Sequence, residues 1–125
     1  MTAPTLKPLF WIGSSKEDYR EFPDAVKEDM GFALYEAQRG TKSLAAKVLR
    51  GFGGAGVLEI VEDHNGNTYR AVYTVKFTGA VYVLHAFQKK SRKGIATPQG
   101  DMEKVRDRLK QAAVYHEEIF RRKRP

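Results

Sequence analysis

Arg70 and Lys76 lie at even spacing in a strongly alternating stretch from Thr68 to Phe77, so a strand there projects both from one face. His85 and Phe87 follow on a second alternating run, Ala80–Phe87, in which Val81, Val83, His85 and Phe87 share a face. The basic segment Lys89, Lys90, Arg92 and Lys93 comes directly after. Hairpin pairing of the two runs gathers a guanidinium, several ammonium groups and an imidazole at one end or face of a sheet. Such a cluster can clamp a phosphodiester and stabilise the extra charge of its pentacoordinate transition state. Tyr69, Tyr73 and Phe87 are rings on which bases can stack. The same residues also fit a plainer arrangement, a solvated charged loop beside an ordinary aromatic core.

Other chemistries find less support. His85, near a strand end, is balanced between packing and acid/base work, for which an unperturbed imidazole is already suited. His64 belongs to a hairpin turn, and His116 falls on the apolar stripe of the last helix and reads as a core residue. The three are too scattered for a metal site. Glu59, Glu62 and Asp63 have no second acid at two-metal or glycosidase spacing, and no Ser/His/Asp arrangement is visible. The absence of cysteine excludes a thiol nucleophile, thiolate metal sites and a disulfide scaffold. Gly51–Gly56 satisfies G-x-G-x-x-G, but it precedes a strand instead of linking a strand to a helix. It reads as a flexible loop able to bring Arg50 towards a ligand.

The elements that position these residues follow from periodicity. Pro8–Ile12 is an opening strand ended by Gly13; Ser15 with Asp18 starts a helix. Apolar positions from Tyr19 to Ala37 keep helical spacing, and Pro23 splits them into a short helix and a second one reaching Arg39-Gly40. Thr41–Arg50 is ambiguous, with room for one more helical turn. Val57–Val61 is a strand, Asn65-Gly66 a hairpin turn, and Thr78-Gly79 the next turn of an antiparallel meander. Thr97-Pro98 reads as N-cap and N1 of a last helix with the stripe Met102, Val105, Leu109, Ala112, His116, Ile119 and Phe120. The expected order is β-α-α-β-β-β-α, an α+β fold.

The length of 125 residues, 42% of them hydrophobic, suits one domain spanning 1–125. No apolar run approaches the roughly 18–20 residues of a membrane span, and no apolar signal segment opens the chain, so the expected compartment is the cytoplasm. Residues 1–87 hold 10 Lys+Arg and 10 Asp+Glu, whereas residues 88–125 hold 12 and 5. The whole net charge of +7 therefore sits in the last third, a one-sided field suited to a polyanion or an acidic protein.

The run Gly56-Val57-Leu58-Glu59-Ile60, then Tyr69-Arg70-Ala71-Val72-Tyr73, Leu84-His85-Ala86-Phe87-Gln88-Lys89-Lys90-Ser91 and Thr97-Pro98 resembles the phage-derived HigB-like toxins of the RelE superfamily. The resemblance runs in order from about Leu9 to Phe120. It implies a compact fold with an antiparallel sheet packed against N-terminal helices and a long C-terminal helix. It implies the toxin of a type II toxin–antitoxin pair, a metal-free and cofactor-free endoribonuclease that cuts messenger RNA on the ribosome. The ribose 2′-OH attacks its own phosphate, leaving a 2′,3′-cyclic phosphate and a 5′-OH. By motif, Arg70 holds the phosphate, Lys89 and Lys90 hold RNA or shuttle protons, and His85 is a candidate acid or base. Arg50, Lys76, Phe87, Arg92 and Lys93 are further RNA contacts. The implied partners are the ribosome with its mRNA and a helix-turn-helix antitoxin, with no membrane and no direct DNA binding by the toxin alone. One departure concerns the chain end, where relatives carry a functional Tyr or His. Here a long helix ends in Arg121–Arg124, and Tyr115 and His116 do not match those positions. Two other readings stand beside this one: a ParE-like toxin that poisons DNA gyrase, and a non-catalytic basic module binding RNA or an acidic protein.

Overall fold

The computed structural model describes residues 5–89 and 97–122. Their elements run β1 (Leu9–Trp11), α1 (Ser15–Arg20), α2 (Asp24–Gln38), β2 (Ala46–Val48), β3 (Val57–His64), β4 (Asn67–Thr74), β5 (Val81–Lys89) and α3 (Gln99–Arg122). Pro23 separates α1 from α2 as expected, since its ring fixes φ and removes a donor. Asn65 and Gly66 take φ of 50° and 81°, the backbone of a type I′ turn, and close the β3–β4 hairpin.

The strands form one sheet in the order β1-β5-β4-β3-β2. Two features differ from the sequence expectation. Ala46–Val48, within the ambiguous stretch, is a short edge strand antiparallel to β3 rather than a helical turn. Only three residues long and half exposed, it carries too little periodicity to reveal itself. Moreover, β1 pairs in parallel with β5, so the sheet is mixed and not a pure meander. The two strands are distant in sequence, separated by α1, α2 and the three strands β2–β4, so no hairpin rule applies.

Each face of the sheet buries a different helix. On one side Val26, Met30, Ala33, Leu34 and Ala37 of α2 pack against Ile60, Tyr69, Tyr73, Val81 and Val83. On the other, Met102, Val105, Leu109 and Ala112 of α3 pack against Val57, Val72, Tyr82 and Leu84. No helix among the described residues is long and apolar enough to cross a membrane. Met30 is wholly buried whereas Phe32, two positions on, is 62% exposed. Met30→Ala is therefore expected to cost about 2–5 kcal/mol in denaturant unfolding, and Phe32→Ala less than about 0.5 kcal/mol.

Candidate active site

An irregularity in the β4–β5 ladder decides which face the site occupies. Tyr73 pairs with Val83 but Val72 pairs with His85, so Leu84 is an extra residue on β5. Before it, Val81 and Val83 face α2; after it, His85 and Phe87 face α3. The expectation that these four share a face is thus corrected, because a bulge shifts the alternation by one. Cross-strand partners then stand side by side beneath the start of α3: Thr68 with Lys89, Arg70 with Phe87, Val72 with His85 and Val72 with Glu59. Glu59, Arg70, His85, Phe87 and Lys89 consequently share one face.

The first turn of α3 is bonded to this face at two points. At one, Glu59 Oε2 accepts from Arg70 Nη1 at 3.3 Å and from Thr97 Oγ1 at 3.1 Å, while Arg70 Nη1 also donates to Thr97 Oγ1 at 3.2 Å. Thr97 was expected to cap the helix; its hydroxyl instead joins this ion pair, and Pro98 O accepts the first-turn bond from Met102 N. At the other point, His85 Nε2 lies 2.7 Å from Asp101 Oδ1 and Nδ1 lies 3.2 Å from Arg108 Nη1. A guanidinium can only donate, so Nδ1 accepts and the ring proton resides on Nε2, facing Asp101. Arg108 also donates to Leu84 O at 3.0 Å and to Ser14 Oγ at 3.0 Å, and Ser14 donates to Asp18 Oδ2 at 2.7 Å.

Gly13 makes room for this arrangement. It adopts a φ of 59°, and a Cβ there would stand 2.7 Å from Arg108 Nε. His85 and Phe87 stack with centroids 4.7 Å apart. Beside them opens a cleft of about 300 Å³ lined by Asp18, Phe22, His85, Phe87, Asp101 and Lys104.

Electrostatics follow from burial. Burial lowers the His85 pKa, with Arg108 and Lys104 acting in the same direction and Asp101 opposing. The Lys89 ammonium is also pushed down, by burial first and then by Arg70, with Asp101 and Glu59 opposing. A lysine so placed surrenders a proton more readily than one in water.

Arg70, His85, Phe87 and Lys89 are brought together; the other expected site residues are not. Lys90, Arg92 and Lys93 lie outside the described residues. Lys76 is exposed two residues past the end of β4, beside Gly56, because the strand stops at Thr74 and not at Phe77. Arg50 is exposed at the start of the glycine loop, whose Phe52 ring packs under Arg106 of α3 at 5.5 Å. Tyr69 and Tyr73 are buried on the α2 side and offer no stacking surface, a correction that leaves Phe87 as the half-buried ring at the site. His116 is held by Tyr82 and stacks on Phe120, as a packed residue does. Glu59, Thr97, Asp101 and Arg108 were missed. Only the i, i+7 spacing of Asp101 and Arg108, which places them on one helix face, was available to find them.

The fold has known counterparts. A mutant of the E. coli toxin RelE in the free state superposes with a TM-score of 0.53 at 16% identity, covering 85% of this chain and 97% of that one. The isolated E. coli RelE toxin gives 0.50 at 22% identity, covering 82% and 98%. No protein of curated function matches in sequence. The fold is that of the RelE toxins. Residues 17–110 match the model of the phage-derived Gp49-like proteins (DUF891), and the chain belongs to that family.

Two outcomes test the geometry. Because folding lowers the His85 pKa, the unfolded chain holds that proton more tightly, and the stability tied to neutral His85 is present above pH 6.5 and lost as pH falls below it. Denaturant midpoints measured against pH should show this decline in the native chain and a flatter profile in His85→Gln. Gly13→Ala should cost more than about 1 kcal/mol, from the left-handed backbone, and should move the ring resonances of His85 through the displaced Arg108.

Proposed function

We propose that this chain is the toxin of a type II toxin–antitoxin pair and cuts messenger RNA without a metal or other cofactor, engaging it at the ribosome. The observation that carries the reading is the convergence of Arg70, Lys89, Phe87 and the His85–Asp101 pair on one sheet face of a RelE fold. Cleavage by attack of the ribose 2′-OH needs a group to take its proton, cations on the phosphorane and a proton for the departing 5′-oxygen. Arg70 supplies a planar fork for phosphate oxygens, which compete for it with the Glu59 carboxylate. Lys89, with its ammonium pKa pushed down, suits protonation of the leaving oxygen. Phe87 offers a ring to a flanking base. Lys90, Arg92 and Lys93 extend the basic segment along which RNA would track.

The partners that follow are the translating ribosome with its message and a cognate antitoxin, a helix-turn-helix protein, in the cytoplasm. The antitoxin would silence the chain by covering the basic face or by blocking entry to the ribosome. The test is brief induction in bacteria without antitoxin, with mapping of new RNA 5′-OH ends. Codon-phased ends that vanish in Arg70→Lys are expected, because an ammonium keeps the charge but loses the fork. Arrest with intact RNA and broken DNA would replace this reading with gyrase poisoning, and neither arrest nor cuts would leave a basic binding module.

A further inference from the structure

Among the described residues, Asp101 is the carboxylate that bonds His85 directly and also lines the cleft. Its Oδ1 is held by His85, no other hydrogen bond engages it among the described residues, and its side chain remains 26% exposed. Both nitrogens of His85 are occupied, Nε2–H by Asp101 and Nδ1 by Arg108, and the ring is 3% exposed. With no free lone pair, His85 cannot itself receive a proton without breaking the network. Glu59 is committed through Oε2 to Arg70 and Thr97, is 14% exposed and does not line the cleft. Of the two other acids that line it, Asp18 of α1 is held by Ser14, and Glu21, at the C-cap of α1, is exposed.

The geometry points to Asp101 as the base that takes the proton of the attacking ribose hydroxyl, with His85 and Arg108 as positioning residues that aim it. The inference rests on the ribonuclease reading above and assigns a step within it. A histidine usually acts with an aspartate behind it; here Arg108 lies behind, and the aspartate is the outer member of the pair. Burial keeps the His85 ring neutral, so Asp101 meets an N–H donor and not an imidazolium that would draw off its charge. Lys104 lines the same cleft, and Lys89 is near enough to feel the charges of both Asp101 and Arg70.

The step balances with these groups alone. The O2′–H proton passes to an Asp101 carboxylate oxygen as the O2′–P bond forms. The P–O5′ bond then breaks, and the 5′-oxygen takes a proton from the Lys89 ammonium. Solvent returns the proton from Asp101 to Lys89, so nothing is oxidised or reduced.

The test uses the full chain in a reconstituted bacterial translation reaction, with single-turnover cleavage of a translated message. Binding of a 2′-O-methyl RNA oligonucleotide, which cannot be cut, is measured in parallel. Asp101→Asn, which keeps the size of the side chain, should slow cleavage about 100- to 10,000-fold while oligonucleotide affinity stays within about threefold. Arg108→Ala should lower kcat with little change in KM and should release His85 from the single Nε2–H tautomer expected in 15N spectra of the native chain. Asp101→Asn cutting at the native rate would overturn the assignment, as would a native His85 protonated on Nδ1. A native chain that binds the oligonucleotide but never cuts the message would instead overturn the ribonuclease reading, and the catalytic role of Asp101 with it, while the tautomer still reports on the positioning network.

Discussion

Leu84, the residue without a partner in the β4–β5 ladder, sets the chemistry of the face above it. A strand that kept strict alternation past Val83 would turn His85 towards α2, among apolar side chains that offer it no partner. The bulge instead turns Leu84 and His85 to the same side. Leu84 packs in the α3 cluster while its carbonyl receives Arg108, and His85 reaches Asp101. Bulges bend a strand and redirect side chains at a cost in ladder bonding, and here the redirected side chain is an imidazole beside a cleft.

The second constraint is that the charged side chains turned to this face are buried. Arg70, His85 and Lys89 are each less than a tenth exposed, a condition that is stable only when partners are supplied. Thr97, just before α3, supplies one to Arg70, Asp101 and Arg108 on α3 supply two to His85, and Ser14 in the turn before α1 steadies Arg108. Gly13 belongs to the same arrangement, because the space its missing side chain leaves is filled by the Arg108 guanidinium. The helix is therefore fastened by the same bonds that organise the site. Removal of one member leaves an uncompensated charge in the interior, not merely an absent contact.

How far the sequence revealed this is itself a matter of range. Local signals were legible: the Asn65-Gly66 turn, the Pro23 break, the α3 stripe and the alternation that separates Tyr69 and Tyr73 from Arg70 and Val72. The pairing of the Arg70 strand with the Phe87 strand followed from their adjacency, but the bulge is what brings His85, Phe87 and Lys89 to the face of Arg70. Contacts made across the fold were not legible. The parallel pairing of β1 with β5, the reach of Arg108 to Ser14 and the diversion of Thr97 from capping to Glu59 each depend on tertiary placement. The bulge is likewise silent in composition, since Val83-Leu84-His85 reads as unbroken strand. Hence the strand cations were found, and Arg108 and the carboxylates that organise them were not.

The central claim is that RNA meets this protein on the β4–β5 face under the start of α3. Amide shift mapping with a 2′-O-methyl RNA oligonucleotide at moderate salt tests it most directly. The account predicts shifts concentrated at Arg70, Phe87, Gln88, Lys89, Asp101 and Lys104, with the exposed face of α2 around Phe32 unmoved. Shifts centred on α2 or on the C-terminal half of α3, with the Arg70 and Asp101 signals unchanged, would contradict it.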